Sequence, residues 1–343
     1  TLRTGSYHTI AGANEGEYNG VVQITVLDGT HFSYQVTGSP ASPATGTITY
    51  RKAPLAWEIA LTGADKRAYR SLNVSSDRYY LRVQDDATAP ATIREPLLRG
   101  YVTMSDIDTG TEPFPTLAQS TNGLTVAKST SSNATITPWT FVGDNQTFYY
   151  IPSLPHTYGV VPIGFGHYIS YKPGDSYKTF FAGHFLSTNW TDPVNANMFS
   201  ALSGACNWGA TSANAPAYVP RAFNQAGTAI GCSSHTGRTN ENWANAIGVA
   251  TSGMPYPNGP DAGLWVGPLF LIDHTGTTFN IRGRFPGFYA HQHTTVPQAN
   301  YELTTGIVGL SGATLMAVYI GHNTSNGAGS TGMIHFDITG PWV

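Results

Sequence analysis

His291-Gln292-His293 puts two imidazoles on one face of an extended strand. That is half of a zinc or other transition-metal site, since structural zinc takes four ligands and imidazole is a favoured one. A symmetric assembly could complete it with one or two ligands per chain. The pair also fits a plainer role, as a polar strand end beyond the turn at Pro286-Gly287. Asp106-Ile107-Asp108-Thr109-Gly110 has the opening of a calcium loop, with oxygen ligands at alternate positions and a glycine for the sharp turn. No third acid follows in the right place, and Glu112 runs into Pro113. Asx turns account for both aspartates more simply.

Asp273-His274 and Ser233-Ser234-His235 hold pieces of a hydrolytic triad, but no Gly-x-Ser-x-Gly elbow accompanies them. Asp85, Asp86, Asp106, Asp108, Asp144 and Asp175 could supply the paired acids of a glycosidase. Asp144 and Asp175 each sit inside a predicted turn, which is reason enough for them. The glycines make no phosphate loop between a strand and a helix. No catalytic residue, metal or cofactor is therefore expected, and the chain reads as a non-enzyme. Cys206 and Cys232 read as two buried thiols rather than a disulfide, because a chain of 343 residues needs no staple.

Aromatic residues suggest contact chemistry. Trp139 and Trp265 lie in alternating segments and read as core. Trp190, Trp208, Trp243 and Tyr256 lie where periodicity is lost, and read as anchors for subunit contact or glycan stacking.

The elements that must position these groups are β-hairpins. Val22, Ile24 and Val26 alternate with Gln23 and Thr25, Asp28-Gly29 turns the chain, and Phe32, Tyr34 and Val36 alternate again. This is the strongest short-range hairpin signal, and it predicts Val22, Ile24 and Val26 inward. A strand at 46–50 follows, and Pro54 breaks the run. The expected organisation is a small β-sandwich-like module (Ig-like or barrel-like) at 1–52 and a larger β-rich domain at 53–343. Within the larger domain, strands are predicted at 78–84, with Tyr79, Leu81 and Val83 on one face, and at 99–104. A hairpin is expected over 139–150. A strand at 167–171 should end in a type II turn at Lys172-Pro173-Gly174-Asp175, with 178–186 as its partner. Further strands are expected at 264–272, 278–284, 313–320 and 332–338. One helix is predicted over 193–203, from the N-cap Asp192 and Pro193 to Gly204. Segment 205–262 reads as an irregular, arm-like stretch.

Composition narrows the function. Only 11% of residues are charged and the net charge is −3, with no basic run. Nucleic-acid binding needs a clustered cationic face, so it is excluded. The longest apolar run, LWVGPLFLI at 264–272, suits a buried strand and falls well short of a membrane span. Sparse charge also suits surfaces that face other subunits. The chain begins at Thr1 and reads as if it started inside a longer protein.

The segment EYNG…FSYQVTGSPASPATG resembles a small β module that recurs in tailed-phage virion proteins. Beyond it, YLRVQDD (80–86), GYVTMSDIDTGTEPFPTLAQS (100–120), PWTFVGDNQTFYY (138–150), FGHYISYKPGDSY (165–177), MPYPNGPDAGLWVGPLFLID (254–273) and RGRFPGFYAHQH (282–293) resemble one family of tailed-bacteriophage virion structural proteins. The resemblance covers most of the chain and brings no catalytic residues. It implies a particle component assembled in the bacterial host cytoplasm and located in the virion. The partners it implies are other virion proteins and further copies of the chain, as a trimer or hexamer, with a host surface glycan as an additional ligand. Tail, tail tip or baseplate is the expected place; capsid decoration and a receptor- or carbohydrate-binding role are the alternatives.

Overall fold

The computed structural model describes residues 2–85, 96–126, 138–152, 162–183, 217–235, 255–275, 278–293, 298–322, 330–340 and 342. The chain divides into two compact units, Thr1–Leu55 and Ala56–Val343. Both are antiparallel β structures; among the described residues the only helical element is the single 3-10 turn Gly16–Tyr18. The helix expected over 193–203 lies outside the described residues.

The first unit holds β1 (Tyr7–Ala13), β2 (Gly20–Val26), β3 (Phe32–Tyr34) and β4 (Gly46–Lys52), in the order β3-β2-β1-β4. The β2–β3 hairpin has the register Val26↔Phe32 and Ile24↔Tyr34. Asp28 closes its turn by accepting the backbone N–H groups of Thr30 and His31. Ile24 is buried, Val22 and Val26 are half-buried, and Gln23 and Thr25 are exposed, so the predicted facing holds. On the same face His8, Phe32 and Tyr50 form a ring cluster with centroids 5.5–6.2 Å apart.

In the second unit, a six-stranded sheet contains β5 (Trp57–Gly63), β6 (Lys66–Ser71), β7 (Tyr80–Gln84), β8 (Leu97–Met104), β9 (Gly110–Phe114) and β10 (Leu124–Thr125). Its order is β10-β8-β7-β6-β5, with β9 also on β8. A twelve-stranded sheet follows: β11 (Trp139–Gly143), β12 (Thr147–Pro152), β13 (Ile163–His167), β14 (Ile169–Ser170), β15 (Thr179–Ala182), β16 (Ala217–Val219), β17 (Ile230–His235), β18 (Val266–Thr275), β19 (Thr278–His291), β20 (Leu303–Thr304), β21 (Leu315–His322) and β22 (Ser330–Asp337). Its path runs β11-β12-β13-β15-β16-β17-β18-β19-β22-β21-β20, and β14 pairs with β19.

Strands β12, β13, β15 and β16 lie between two cores. Phe148, Phe165, Phe181 and Tyr218 pack with Leu81, Leu98, Phe114 and Leu124 of the six-stranded sheet. Tyr149, Phe180, Ala217 and Val219 point the other way, into a core shared with Phe285, Phe288, Ile334 and Phe336. The large sheet therefore curls, and Tyr149 meets Phe336 and Phe288 at 5.1 and 5.3 Å. Tyr79 and Val83 flank Leu81 against the first of these cores, as the alternation predicts.

Two expectations are corrected. Segment 205–262 is not irregular throughout: β16 and β17 pair with each other and insert between β15 and β18. β16 is buried at all three positions, Ala217–Val219, so it carries no alternation to read. Trp139 and Trp265 are not core; they are 52% and 43% exposed. Alternation sorts a strand into two faces without saying which is covered. Trp139 lies on the outer face of a terminal strand, and Trp265 just precedes β18.

Candidate functional site

The most concentrated chemistry in the described residues surrounds Arg282 on β19. Lys172-Pro173-Gly174-Asp175 turns as expected, with Gly174 at φ +67°, and returns Asp175 beneath the sheet. The Asp175 Oδ2 accepts the Tyr168 hydroxyl at 2.6 Å and the Ser170 hydroxyl at 2.8 Å. Arg282 Nε and Nη2 reach Asp175 Oδ2 and Oδ1 at 3.3 and 3.2 Å, a fork-to-carboxylate geometry. Its Nη1 donates to the Arg221 carbonyl and lies 3.7 Å from Asp273 Oδ2. Nη2 also donates to the Tyr177 carbonyl at 3.3 Å. Arg282 and Asp273 are fully buried, and the Tyr168 ring lies 5.6 Å from the guanidinium.

Burial pushes the Asp175 carboxyl up, yet the hydrogen bonds from Arg282, Tyr168 and Ser170 and the guanidinium charge outweigh it, leaving the carboxyl below its ordinary range. Burial likewise opposes the Arg282 charge, and Tyr168 and Asp175 more than restore it. Cys232, paired with Asp273 across β17 and β18, is wholly buried, and desolvation pushes its thiol well up. A thiol in that state is not a nucleophile at neutral pH. The network joins the 168–177 turn, the 221 loop and β19 at one point. Among the six aspartates weighed as catalytic acids, Asp175 therefore does more than shape a turn. Asp144 keeps its turn role, accepting Gln146 and Thr147 N–H groups at 2.8 Å each, and also receives Trp342 N–H at 3.1 Å.

A second cluster lies where the histidines were expected to matter. His293 Nε2 accepts the Trp265 N–H at 2.7 Å, so Nδ1 carries the proton and donates to the Pro255 carbonyl at 2.9 Å. Both nitrogens of this candidate ligand are thus engaged in fastening the 255–265 loop to the sheet. His291 stands 6.2 Å from a third histidine, His335 on β22, ring edge to ring face. His335 Nε2 bonds Gln298 Oε1 at 2.6 Å, and the Gln298 amide nitrogen donates to Thr304 Oγ1. The amide orientation makes Nε2 the donor and leaves the lone pair on Nδ1. His291 Nδ1 and His335 Nδ1 are buried without a hydrogen-bond partner. Burial lowers His291 to about 4, partly offset by the His293 backbone. Burial, then the neighbouring imidazoles, lower His335 to about 3. Both rings are neutral at physiological pH. Among the described residues no three His, Cys, Asp or Glu side chains are grouped to hold a metal.

Asp106 Oδ1 accepts the N–H groups of Asp108 and Thr109 at 2.8 and 2.9 Å, an Asx turn. Asp108 Oδ1 takes Lys66 Nζ at 2.7 Å and Arg82 Nη2 at 2.9 Å, so two cations already occupy this carboxylate. His167 accepts the Asp77 N–H at 2.7 Å, and Asp77 Oδ2 accepts Lys178 N–H and the Thr179 hydroxyl at 2.8 and 3.0 Å. This Asp–His pair fastens the 72–79 loop to β13 and β15. Sequence reading missed it, as it missed Arg282, because the partners lie far apart in the chain.

Tyr256 is half-buried against Leu264, Ile307 and Leu315, with its ring edge-on to His293 at 5.2 Å. Trp190, Trp208 and Trp243 lie outside the described residues, as does Cys206. Two of the exposed aromatics, Trp139 and Phe141, sit on β11, which ends the large sheet among the described residues. Trp139 stacks on Tyr150 at 5.9 Å and 28°, and Phe141 on Phe148 at 4.9 Å and 21°. No family model matches the chain, and no curated protein matches it.

Proposed function

We propose that the chain is a structural component of a tailed bacteriophage particle, placed at the tail, its tip or the baseplate, and that it works through protein–protein assembly contacts. The observation that carries this reading is the strand that ends the twelve-stranded sheet among the described residues. β11 is the terminal strand, and Trp139 and Phe141 stand exposed on it while Thr140 and Val142, which alternate with them, are buried. An open edge with aromatic side chains is a template for a partner, since unpaired backbone groups and large rings both gain on being covered. A chain with 11% charged residues has little charge to desolvate in such a contact. The resemblance in the sequence supplies the particle; the edge supplies the means of attachment.

The test is a Trp139→Ala, Phe141→Ala double variant carried through phage assembly. Lost incorporation with an unchanged melting temperature supports the reading. Normal incorporation refutes the edge as the attachment, and a cryo-EM map of particles lacking density for the chain refutes the particle role. In the same map, three or six copies on the tail argue for the proposed place, and copies at capsid symmetry axes for decoration.

A carbohydrate-binding role is the second reading, favoured by the Trp139–Tyr150 stack, because a solvent-facing indole backed by a second ring suits the apolar face of a sugar. Glycan-array binding that Trp139→Ala abolishes would select it.

A further inference from the structure

The first unit has an edge of its own, and its sequence is complementary to itself. β4 (Gly46–Lys52) ends the sheet order, and all seven of its residues are exposed. Ile48 and Tyr50 are 47% and 57% exposed, on the face that carries the His8–Phe32–Tyr50 ring cluster. The backbone direction follows from its pairing with β1. Ala53 N–H bonds the Tyr7 carbonyl at 3.0 Å, so Ala53 faces β1. The alternation of an antiparallel ladder turns Arg51 and Thr49 the same way, opposite Thr9 and Ala11. The N–H and C=O groups of Ile48, Tyr50 and Lys52 therefore point outward, away from the sheet.

We infer that β4 pairs antiparallel with β4 of a second copy of this chain, about a two-fold axis through Thr49. In this register Ile48 lies opposite Tyr50 and Tyr50 opposite Ile48, as an isologous contact requires. These are the hydrogen-bonded pairs, because their backbone groups are the ones facing out; they alone supply about four inter-chain bonds. Thr49 meets Thr49 at the centre in a non-hydrogen-bonded pair. Thr47 lies opposite Arg51, and Gly46 opposite Lys52. The two cations of the strand thus meet small neutral residues and never each other. Registers centred on Ile48 or Tyr50 also satisfy the outward backbone groups. The first sets Gly46 opposite Tyr50, and the second sets Ile48 opposite Lys52, so each loses the β-branched–aromatic pairs that stabilise a cross-strand contact. A lysine or arginine on an edge strand ordinarily blocks further pairing. Here both lie at one end, where a self-paired strand places them outside the apolar centre. The result is an eight-stranded sheet continuous across two chains, with its ring cluster extended over both.

The inference does not need the particle reading and is tested on the purified full-length chain. Thr49→Cys in a Cys206→Ser background places two thiols at a non-hydrogen-bonded pair, where Cα atoms are about 4.5 Å apart and a disulfide closes without backbone movement. Mild oxidation should give a disulfide-linked dimer, and Thr47→Cys in the same background should give none. Sedimentation of the otherwise unaltered chain should show a dimer that Tyr50→Lys converts to monomer, with circular dichroism unchanged. A monomeric unaltered chain with uncrosslinked Thr49→Cys overturns the inference. So does equal crosslinking of Thr47→Cys and Thr49→Cys, which signals random collision, or a dimer that survives Tyr50→Lys, which places the contact elsewhere.

Discussion

Acid should destabilise the second unit before its carboxylates begin to titrate. His291 and His335 are held neutral in the fold, at about 4 and about 3, against 6.5 for a free imidazole. The unfolded chain therefore binds more protons than the folded one between those values. Stability is complete above pH 6.5 and is lost as pH falls through that value toward the folded ones. Linkage gives a loss of about 2 kcal/mol for each ring between pH 8 and pH 5, so about 4 kcal/mol for the pair. That is a large share of the ~5–15 kcal/mol that holds a domain together. Urea unfolding followed by tryptophan fluorescence at pH 8, 7, 6 and 5 measures it. His335→Gln keeps a polar group against Gln298 and removes one titration, so the loss from pH 8 to pH 5 should fall by about 2 kcal/mol. Stability that is flat over this range, or a His335→Gln variant with the full acid loss, refutes the reasoning.

Two other outcomes follow from the buried groups. Arg282→Ala leaves Asp175 and Asp273 near one another without their cation, and should cost about 3–5 kcal/mol in urea unfolding; a loss under ~1 kcal/mol would show that the fork is not needed. Cys232 should resist a thiol reagent in the native chain and react fully in denaturant, as mass spectrometry of the labelled peptide reports; rapid native labelling would contradict its burial.

Local chemistry in the sequence was informative wherever one face of a strand meets water. The Val22–Val26 alternation, the Asp28 turn and the Lys172–Asp175 turn are all present as read. Where both faces are covered, the pattern disappears. Ala217–Val219 is buried at every position, so nothing in its spacing separates it from loop. Trp139 shows the complementary failure, a correct strand with the wrong side assigned to the core. The site chemistry was legible only in its parts. The alternation at His291 and His293 singled out a position that does matter, but His335 and Gln298, which give His291 its surroundings, come from strands and loops far along the chain. Asp175 and Arg282 meet across 107 residues, and no local signal connects them.

The curled sheet sets an order of events for the nascent chain. Tyr149 on β12 is not fully covered until Phe336 on β22 has been made, roughly two thirds of the second unit's length later. Through that interval β12, β13 and β15 present aromatic rows on both faces, with only the six-stranded sheet available to shield one of them. Contacts this distant in sequence slow folding and prolong the exposure of sticky strands. Synthesis of this protein should therefore be sensitive to temperature and to chaperone supply in a way that its finished stability would not suggest.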